Sequence, residues 1–479
     1  MDYIINNLVF FINILLVISM IFLERKKPEV IVSWTILFAF LPLVGFVLYI
    51  LIGGGLSFKN RRMLKAKHFY DDKFQSFYRE IEEGGDIIRN RKISNLIRFN
   101  ILNAKSVPTF GNKIEIFNDG KDKIDSLITD IKDAKHSINL EYYIFDDDFV
   151  GKEIMNLLCE KAKSGIKVKL IYDSVGCLGA PRRFFNKLKK AGGEVREFFP
   201  PLFNIRMINL KMNYRDHRKI AVIDGKIGYV GGINIRKDHL GYSKKLSPWR
   251  DTHLKIKGQA VYALQNTFFN FWQFCAKQDR ETKEYVKEGY FPKIKSQGNV
   301  ISQIVTSGPD DSKNNIKEAM IKMINSAHNS IFLQTPYFVP DEIFMNSIKQ
   351  AIKSGVKVTL MLPKIPDKKF VYMASLSFAK EIIETGGQVF FYKGFLHSKV
   401  LIIDETAMCI GTCNADYRSF SLNFEITAIL YQKDLIKKHI ADIEKDLQSS
   451  MSVDLEYYKK RPLFSKFGQV IFRLFAPLL

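Results

Sequence analysis

The feature that most constrains this chain is that its central part says the same thing twice. Ala134-Lys-His-Ser-Ile-Asn-Leu140 leads to Phe145, and Ala327-His-Asn-Ser-Ile-Phe-Leu333 leads to Phe338. KSGIKVKL at 163–170 matches KSGVKVTL at 353–360, and Gly192-Gly193 with Val195 matches Gly386-Gly387 with Val389. The pieces keep their order at an offset of roughly 190 residues, which chance does not produce. Each copy alternates helical periodicity (SLITDIKDA, IKEAMIKMINSA) with apolar strands (SINLEYYIF, KVKLIYD; SIFLQTPYF, KVTLMLP). Ser164-Gly165 suits a helix C-terminal cap between them. The predicted class is α/β: two similar lobes with mixed sheets flanked by helices, facing each other about a pseudo-twofold axis.

Both copies end in one polar constellation. His217-x-Lys219 is followed by Asp224 and Asn234; His397-x-Lys399 is followed by Asp404 and Asn414, with identical spacing and a shared glycine at 231 and 411. A spacing of two puts each histidine and lysine on one face of a strand, and the apolar run that follows continues as a strand buried on both sides. Two lobes closing on a pseudo-twofold axis would bring both pairs to one pocket. A phosphodiester fits there, its oxygens bound by two lysines and two asparagines, with an imidazole on either side of phosphorus. One imidazole attacks and becomes a phosphohistidine, the other protonates the departing alcohol, and an incoming alcohol or water releases the group. Lys219 and Lys399 stabilise charge on the non-bridging oxygens. The scheme needs no cofactor or metal, and no carboxylate cluster suggests one. Asp224 and Asp404 are expected to hold the motif's loop. Glycines 231, 232 and 411 read as backbone devices. His68, His136, His239, His253, His328 and His439 recur in no such constellation and read as ordinary surface or core residues. Cys409 and Cys413 read as packing.

The ends of the chain point to a membrane. Ile4–Leu23 and Val30–Ile52 are uncharged and long enough to span a bilayer, which predicts two transmembrane helices. Arg25, Lys26 and Lys27 lie between them, and the larger basic cluster Lys59, Arg61, Arg62, Lys65 and Lys67 follows. That asymmetry places the catalytic part on the cytoplasmic side of a multi-pass cell-membrane protein. The net charge of +22 calls for a polyanionic partner. At the far end Phe464, Phe467, Ile471, Leu474 and Leu478 share a helical face, with Lys466 and Arg473 among the polar positions. Such a helix either lies in a headgroup layer or docks on the domain core. The five cysteines, an odd number, do not suggest a complete disulfide framework. The expected division is 1–53 membrane helices, 54–112 basic linker, 113–295 first lobe, 296–450 second lobe and 451–479 amphipathic basic segment.

The paired H-x-K-x4-D-x6-G-x-x-N motifs resemble those of the phospholipase D superfamily. With the two N-terminal apolar segments and GTCNADYRSFSLNFE, the chain resembles bacterial cardiolipin synthases over nearly its full length. The resemblance implies a phosphatidyltransferase that joins two phosphatidylglycerols into cardiolipin and glycerol, with anionic membrane lipids as partners and no nucleic acid. It implies His217 as nucleophile and His397 as general acid and base, roles that pseudo-symmetry leaves reversible. It also implies an acidic residue on a later strand orienting each imidazole, for which Asp251 and Glu425 are the candidates. A phospholipase D hydrolase and a phosphatidylserine synthase share these motifs and differ in the acceptor. A nuclease is disfavoured by the membrane segments, and a silent lipid-binding scaffold by two intact motifs. Oligomeric state is left open.

Overall fold

The structure, a computed structural model, describes residues 2–22, 28–53, 90–200, 213–276, 282–311 and 313–478. Helices α1 (Asp2–Phe22), α2 (Pro28–Phe40) and α3 (Pro42–Leu48) come first. The expected second span is broken at Leu41-Pro42. Proline has no N–H to continue the ladder and disfavours helical geometry in the residue before it, and Leu41 sits at φ −137°, ψ 68°. Among the described residues no helix is both long and apolar enough to cross a membrane. The basic residues at 25–27 and 59–67 on which the orientation was argued, and His68, lie outside the described residues.

The basic linker is expected to form short helices, and its described part holds one. Helix α4 (Arg91–Ala104) is capped by the Asn90 side chain and packs Leu96, Ile97 and Ile101 into the second lobe's core. Its Asn100 donates to Gln303 Oε1 (3.0 Å) and Tyr431 Oη (3.2 Å) in that buried interface. The first lobe then runs β1 (Thr109–Phe117), α5 (Gly120–Asp133), β2 (Ser137–Tyr142), α6 (Phe149–Lys163), β3 (Lys167–Asp173), α7 (Arg182–Lys190), β4 (Glu194–Phe198), β5 (Lys219–Ile223), β6 (Ile227–Gly231), β7 (His253–Lys257) and α8 (Ala260–Ala276). The second runs β8 (Val300–Ser307), α9 (Asn315–Asn325), β9 (Ser330–Gln334), α10 (Glu342–Lys353), β10 (Lys357–Pro363), α11 (Lys369–Thr385), β11 (Gln388–Tyr392), β12 (Val400–Ile403), β13 (Ala407–Gly411), β14 (Glu425–Leu430) and α12 (Lys433–Gln448). After these come β15 (Met451–Val453) and α13 (Leu463–Leu474). Helices α6 and α10 stop alike, at Ser164 and Ser354, with Gly165 (φ +88°) and Gly355 (φ +87°) reversing the chain where a side chain would be strained.

These fifteen strands join one sheet, in the order β15-β11-β10-β9-β12-β13-β14-β8-β1-β7-β6-β5-β2-β3-β4. Read outward from the β8/β1 seam, the halves are the same: β1-β7-β6-β5-β2-β3-β4 against β8-β14-β13-β12-β9-β10-β11. That order is the pseudo-twofold. In the two halves β2-β3-β4 and β9-β10-β11 pair in parallel and the rest, the edge strand β15 included, antiparallel, giving mixed sheets. The seam β1–β8 is itself antiparallel, so the first lobe's sheet starts at Thr109, ahead of the expected boundary. Every residue of β5 is buried, and they alternate between two cores. Ala221 and Ile223 face the first lobe's own core, while Ile220 and Val222 face an apolar layer shared with Val400, Ile402 and Ile410 of the second. The lobes are thus fused through a common core.

Candidate active site

Each H-x-K segment lies where the chain enters its buried strand, β5 or β12, and each is pinned by the other lobe. His217 N donates to Phe424 O (3.0 Å), and His397 N donates to Arg250 O (2.7 Å). The side chains follow the same exchange. His217 Nδ1 hydrogen-bonds Glu425 Oε1 (3.0 Å) and Oε2 (3.1 Å), and His397 Nδ1 hydrogen-bonds Asp251 Oδ2 (2.6 Å). Each imidazole therefore takes its carboxylate from the opposite lobe, through Nδ1. Arg218, between His217 and Lys219, is directed to the other face of the sheet. There it meets Glu141 and Asp216 at 3.0 Å and stacks 3.3 Å from the Phe271 ring centroid.

The carboxylates are held differently. Glu425 also accepts from Thr412 Oγ1 and from Asn423 Nδ2 (3.1 Å). Gly232 stands in the first copy where Thr412 stands in the second, and a Cβ on it would lie 2.0 Å from Asp251 Oδ1. The glycine is the space into which Asp251 fits. Asp251 instead accepts from Thr252 N (2.8 Å) and has His239 Nδ1 3.5 Å from Oδ2. Ligand atoms of His239, Asp251 and His397 lie within 4.8 Å of one another, a compact triad. His239 is buried, and its Nε2 faces Asn234 Nδ2 at 3.2 Å. Read from sequence as an ordinary residue, His239 instead stands in the site. Repeat-matching is blind to it, because the position five past Asn234 is histidine and the position five past Asn414 is Ser419.

Lys219 Nζ donates to His217 O (2.6 Å) and lies 5.2 Å from the Tyr143 ring centroid; Lys399 Nζ donates to His397 O. Burial lowers these ammonium groups to about 7 and about 8. Burial, then the lysines, pushes both His217 and His397 well below the usual imidazole range, with Asp251 opposing at His397. Burial lifts Glu425 to about 7 against the pull of Lys219. Burial also acts to raise Asp251, but His397, His239 and Lys399 outweigh it and hold this carboxylate well below the usual range. The two halves of the site are unequal: one imidazole has a firmly ionised partner, the other a carboxyl balanced near neutrality.

His217, His397, His239, Asn234 and Asn414 line one cavity of about 350 Å³. Asn234 Oδ1 accepts from Ile144 N (3.1 Å), whereas Asn414 Oδ1 has no hydrogen-bond partner among the described residues. The lining mixes apolar Leu246, Trp249, Val339, Val371, Phe395 and Ala476 with charged Arg215, Arg236, Asp238, Asp367, Lys368 and Arg418. A larger cavity of about 420 Å³ lies on the Arg218 side of the sheet and holds neither histidine. Asp224 and Asp404 stand apart from the cavity. Asp224 accepts the N–H groups of Lys135, His136 and Ser137, and Asp404 those of His328, Asn329 and Ser330. Cys409 and Cys413 are buried in the second lobe's core.

A duplicated α/β sheet that brings two H-x-K segments to one cavity defines the phospholipase D class. A phosphatidylserine synthase from Haemophilus influenzae has the same fold, with a TM-score of 0.59 at 16% identity, covering 81% of this chain and 99% of that one. The family model described as cardiolipin synthase, PLD-like domain matches residues 127–272 and 320–447, and one described as phospholipase D-nuclease N-terminal matches 11–54. The chain is 39% identical to a cardiolipin synthase of Listeria monocytogenes, over 98% of this chain and 97% of that protein. It is 38% identical to the major cardiolipin synthase of Bacillus subtilis, over 99% and 98%. The chain belongs to the cardiolipin synthase family, and it is a phosphatidyltransferase.

Proposed function

We propose that this enzyme joins two phosphatidylglycerol molecules into cardiolipin and glycerol through a phosphohistidine on His217. The observation that carries the reading is the pair of crosswise histidine–carboxylate couples opening on one cavity. His217 Nε2 attacks phosphorus while Glu425 receives its Nδ1–H. The P–O bond to glycerol breaks, and glycerol leaves with a proton from His397, whose imidazolium the bound phosphodiester anion and the ionised Asp251 together hold against its burial. His397, now neutral, removes the proton from a primary hydroxyl of the second phosphatidylglycerol. That oxygen displaces His217 from phosphorus and both histidines return to their starting states. Lys219, Lys399, Asn234 and Asn414 bind the non-bridging oxygens, and a phosphodiester anion would restore the lysines' protons against their burial.

The inequality of the two carboxylates favours this assignment of roles. A proton donor benefits from an ionised partner, whereas a nucleophile needs its Nε2 lone pair free. α1 and the α2–α3 pair expose Phe10, Phe11, Leu15, Phe22, Phe40 and Val44, which supports their placement in a cell membrane as two spans, with the catalytic lobes cytoplasmic by the charge rule. The test is turnover of phosphatidylglycerol as sole lipid by the purified full-length enzyme in detergent, with products followed by mass. Cardiolipin with equimolar glycerol is expected; phosphatidic acid without cardiolipin would make the enzyme a hydrolase.

A further inference from the structure

Helix α13 is docked and yet apolar on the outside. One face packs on α11: the Phe472 ring lies 4.9 Å from that of Phe370, Arg473 pairs with Glu381 and sits 4.5 Å over the Phe378 ring, and Gln469 is buried. The opposite face carries Leu463 (82% exposed), Phe464 (86%), Phe467 (64%) and Val470 (68%), at spacings that align them as one stripe. A helix whose docking face is already satisfied ordinarily turns polar residues outward. Lys459, Lys460, Arg461 and Lys466 flank the stripe, and no acidic residue follows Glu456.

The stripe runs on into two other features. Leu474 O accepts from Ser33 Oγ of α2 (3.2 Å), and Leu478 packs against the cluster of Trp34, Phe38 and Tyr49 from the N-terminal helices. Between them Ala476 lines the cavity of His217 and His397. The exposed stripe, the apolar N-terminal helices and the cavity are therefore contiguous.

We propose that the outer face of α13 lies in the headgroup–acyl boundary of an anionic bilayer, so that phospholipid enters the cavity laterally past Ala476. Leu463, Phe464, Phe467 and Val470 occupy the acyl boundary, and the flanking lysines meet lipid phosphates. This rests on the reading that the substrate is a bilayer phospholipid. It adds a second contact to the one α1–α3 supply, one that fixes the orientation of the cavity mouth.

The test compares full-length wild type with the double variant Phe464→Gln/Phe467→Gln, both positions being exposed. Two substrates are used: vesicles of phosphatidylglycerol with phosphatidylcholine, and dihexanoyl phosphatidylglycerol kept monomeric in solution. Turnover on vesicles is expected to fall about fivefold or more, with turnover of the monomeric lipid unchanged. A Phe464→Trp variant should show blue-shifted emission with those vesicles, quenched by brominated acyl chains. Equal losses on both substrates, no loss on vesicles, or unquenched emission would overturn the proposal. So would a dimer that the double variant dissociates with its activity, which would assign the stripe to a second copy of the chain. Failure of the wild type to turn over either lipid would instead strike at the proposed reaction.

Discussion

His239 Nδ1 stands 3.5 Å from Asp251 Oδ2, the same oxygen that hydrogen-bonds His397 Nδ1 at 2.6 Å. It is a positioning residue: a second imidazole on the same oxygen helps hold the carboxylate ionised and in place, while its own charge lowers His397. In His239→Phe the Asp251 carboxyl loses that support and His397, freed of the neighbouring imidazole, keeps its proton to higher pH. The expected result is a kcat about three- to tenfold lower, with the alkaline limb of the kcat/KM profile moved about half a unit to higher pH. An unmoved profile with lowered kcat would reduce His239 to a packing role.

The crosswise couples predict paired phenotypes. His217→Ala and His397→Ala should each cost about a thousandfold or more in kcat. Asp251→Asn should act on the His397 step and Glu425→Gln on the His217 step. With a donor whose leaving group is p-nitrophenol, which departs without an acid, His397→Ala should still accumulate a phosphatidylated His217 detectable by mass. His217→Ala should accumulate none. Label on residue 397 would reverse the assignment.

Asp224 and Asp404 predict a loss of stability. Each carboxylate closes three backbone N–H groups of the turn leading into β2 or β9. At Asp404, burial acts to raise the carboxyl, but those donors and Lys92 hold it below its ordinary value. Asp404→Ala should destabilise by about 2–4 kcal/mol, read as a lower denaturant midpoint, since it leaves three donors unpaired. Activity per folded molecule should stay within about twofold of wild type.

His439 supplies a pH dependence. It is a buried residue of α12 with neither ring nitrogen hydrogen-bonded among the described residues, and burial lowers it to about 3, with Arg250 adding to the effect. A histidine lowered in the folded state is stable as the neutral form. Its contribution is full above the unfolded value near 6.5 and is lost progressively as pH falls toward 3. The loss reaches about 5 kcal/mol at the acid end. His439→Leu should flatten the fall in Tm between pH 6.5 and 4. An unchanged slope would show that the folded state accommodates the charged ring.

The lobes, their mixed sheets and the two H-x-K pairs were legible because duplication writes each of them twice. What was not legible lay where the copies differ or where the seam decides. His239 has serine as its counterpart, so no repeat marked it. Asp251 and Glu425 were found as candidates, but which histidine each serves depends on strands β7 and β14 lying next to the seam. Helix α4 belongs to no repeat and was read as linker, although Leu96, Ile97 and Ile101 already have the spacing of a buried face. Pro42 was in plain view, and its effect on Leu41 breaks a segment that hydropathy alone reads as continuous.

The antiparallel seam between β1 and β8 has a consequence for heredity as well as for chemistry. Each lobe owns a histidine whose carboxylate is kept by its neighbour, so on the proposed reaction neither half of the polypeptide would hold a working acid or a working nucleophile. Two fragments divided near residue 296 would be silent apart and would regain turnover only on reassembly. A damaged half could not be rescued by its sister within the chain. Duplication here did not make a spare; it made two dependants.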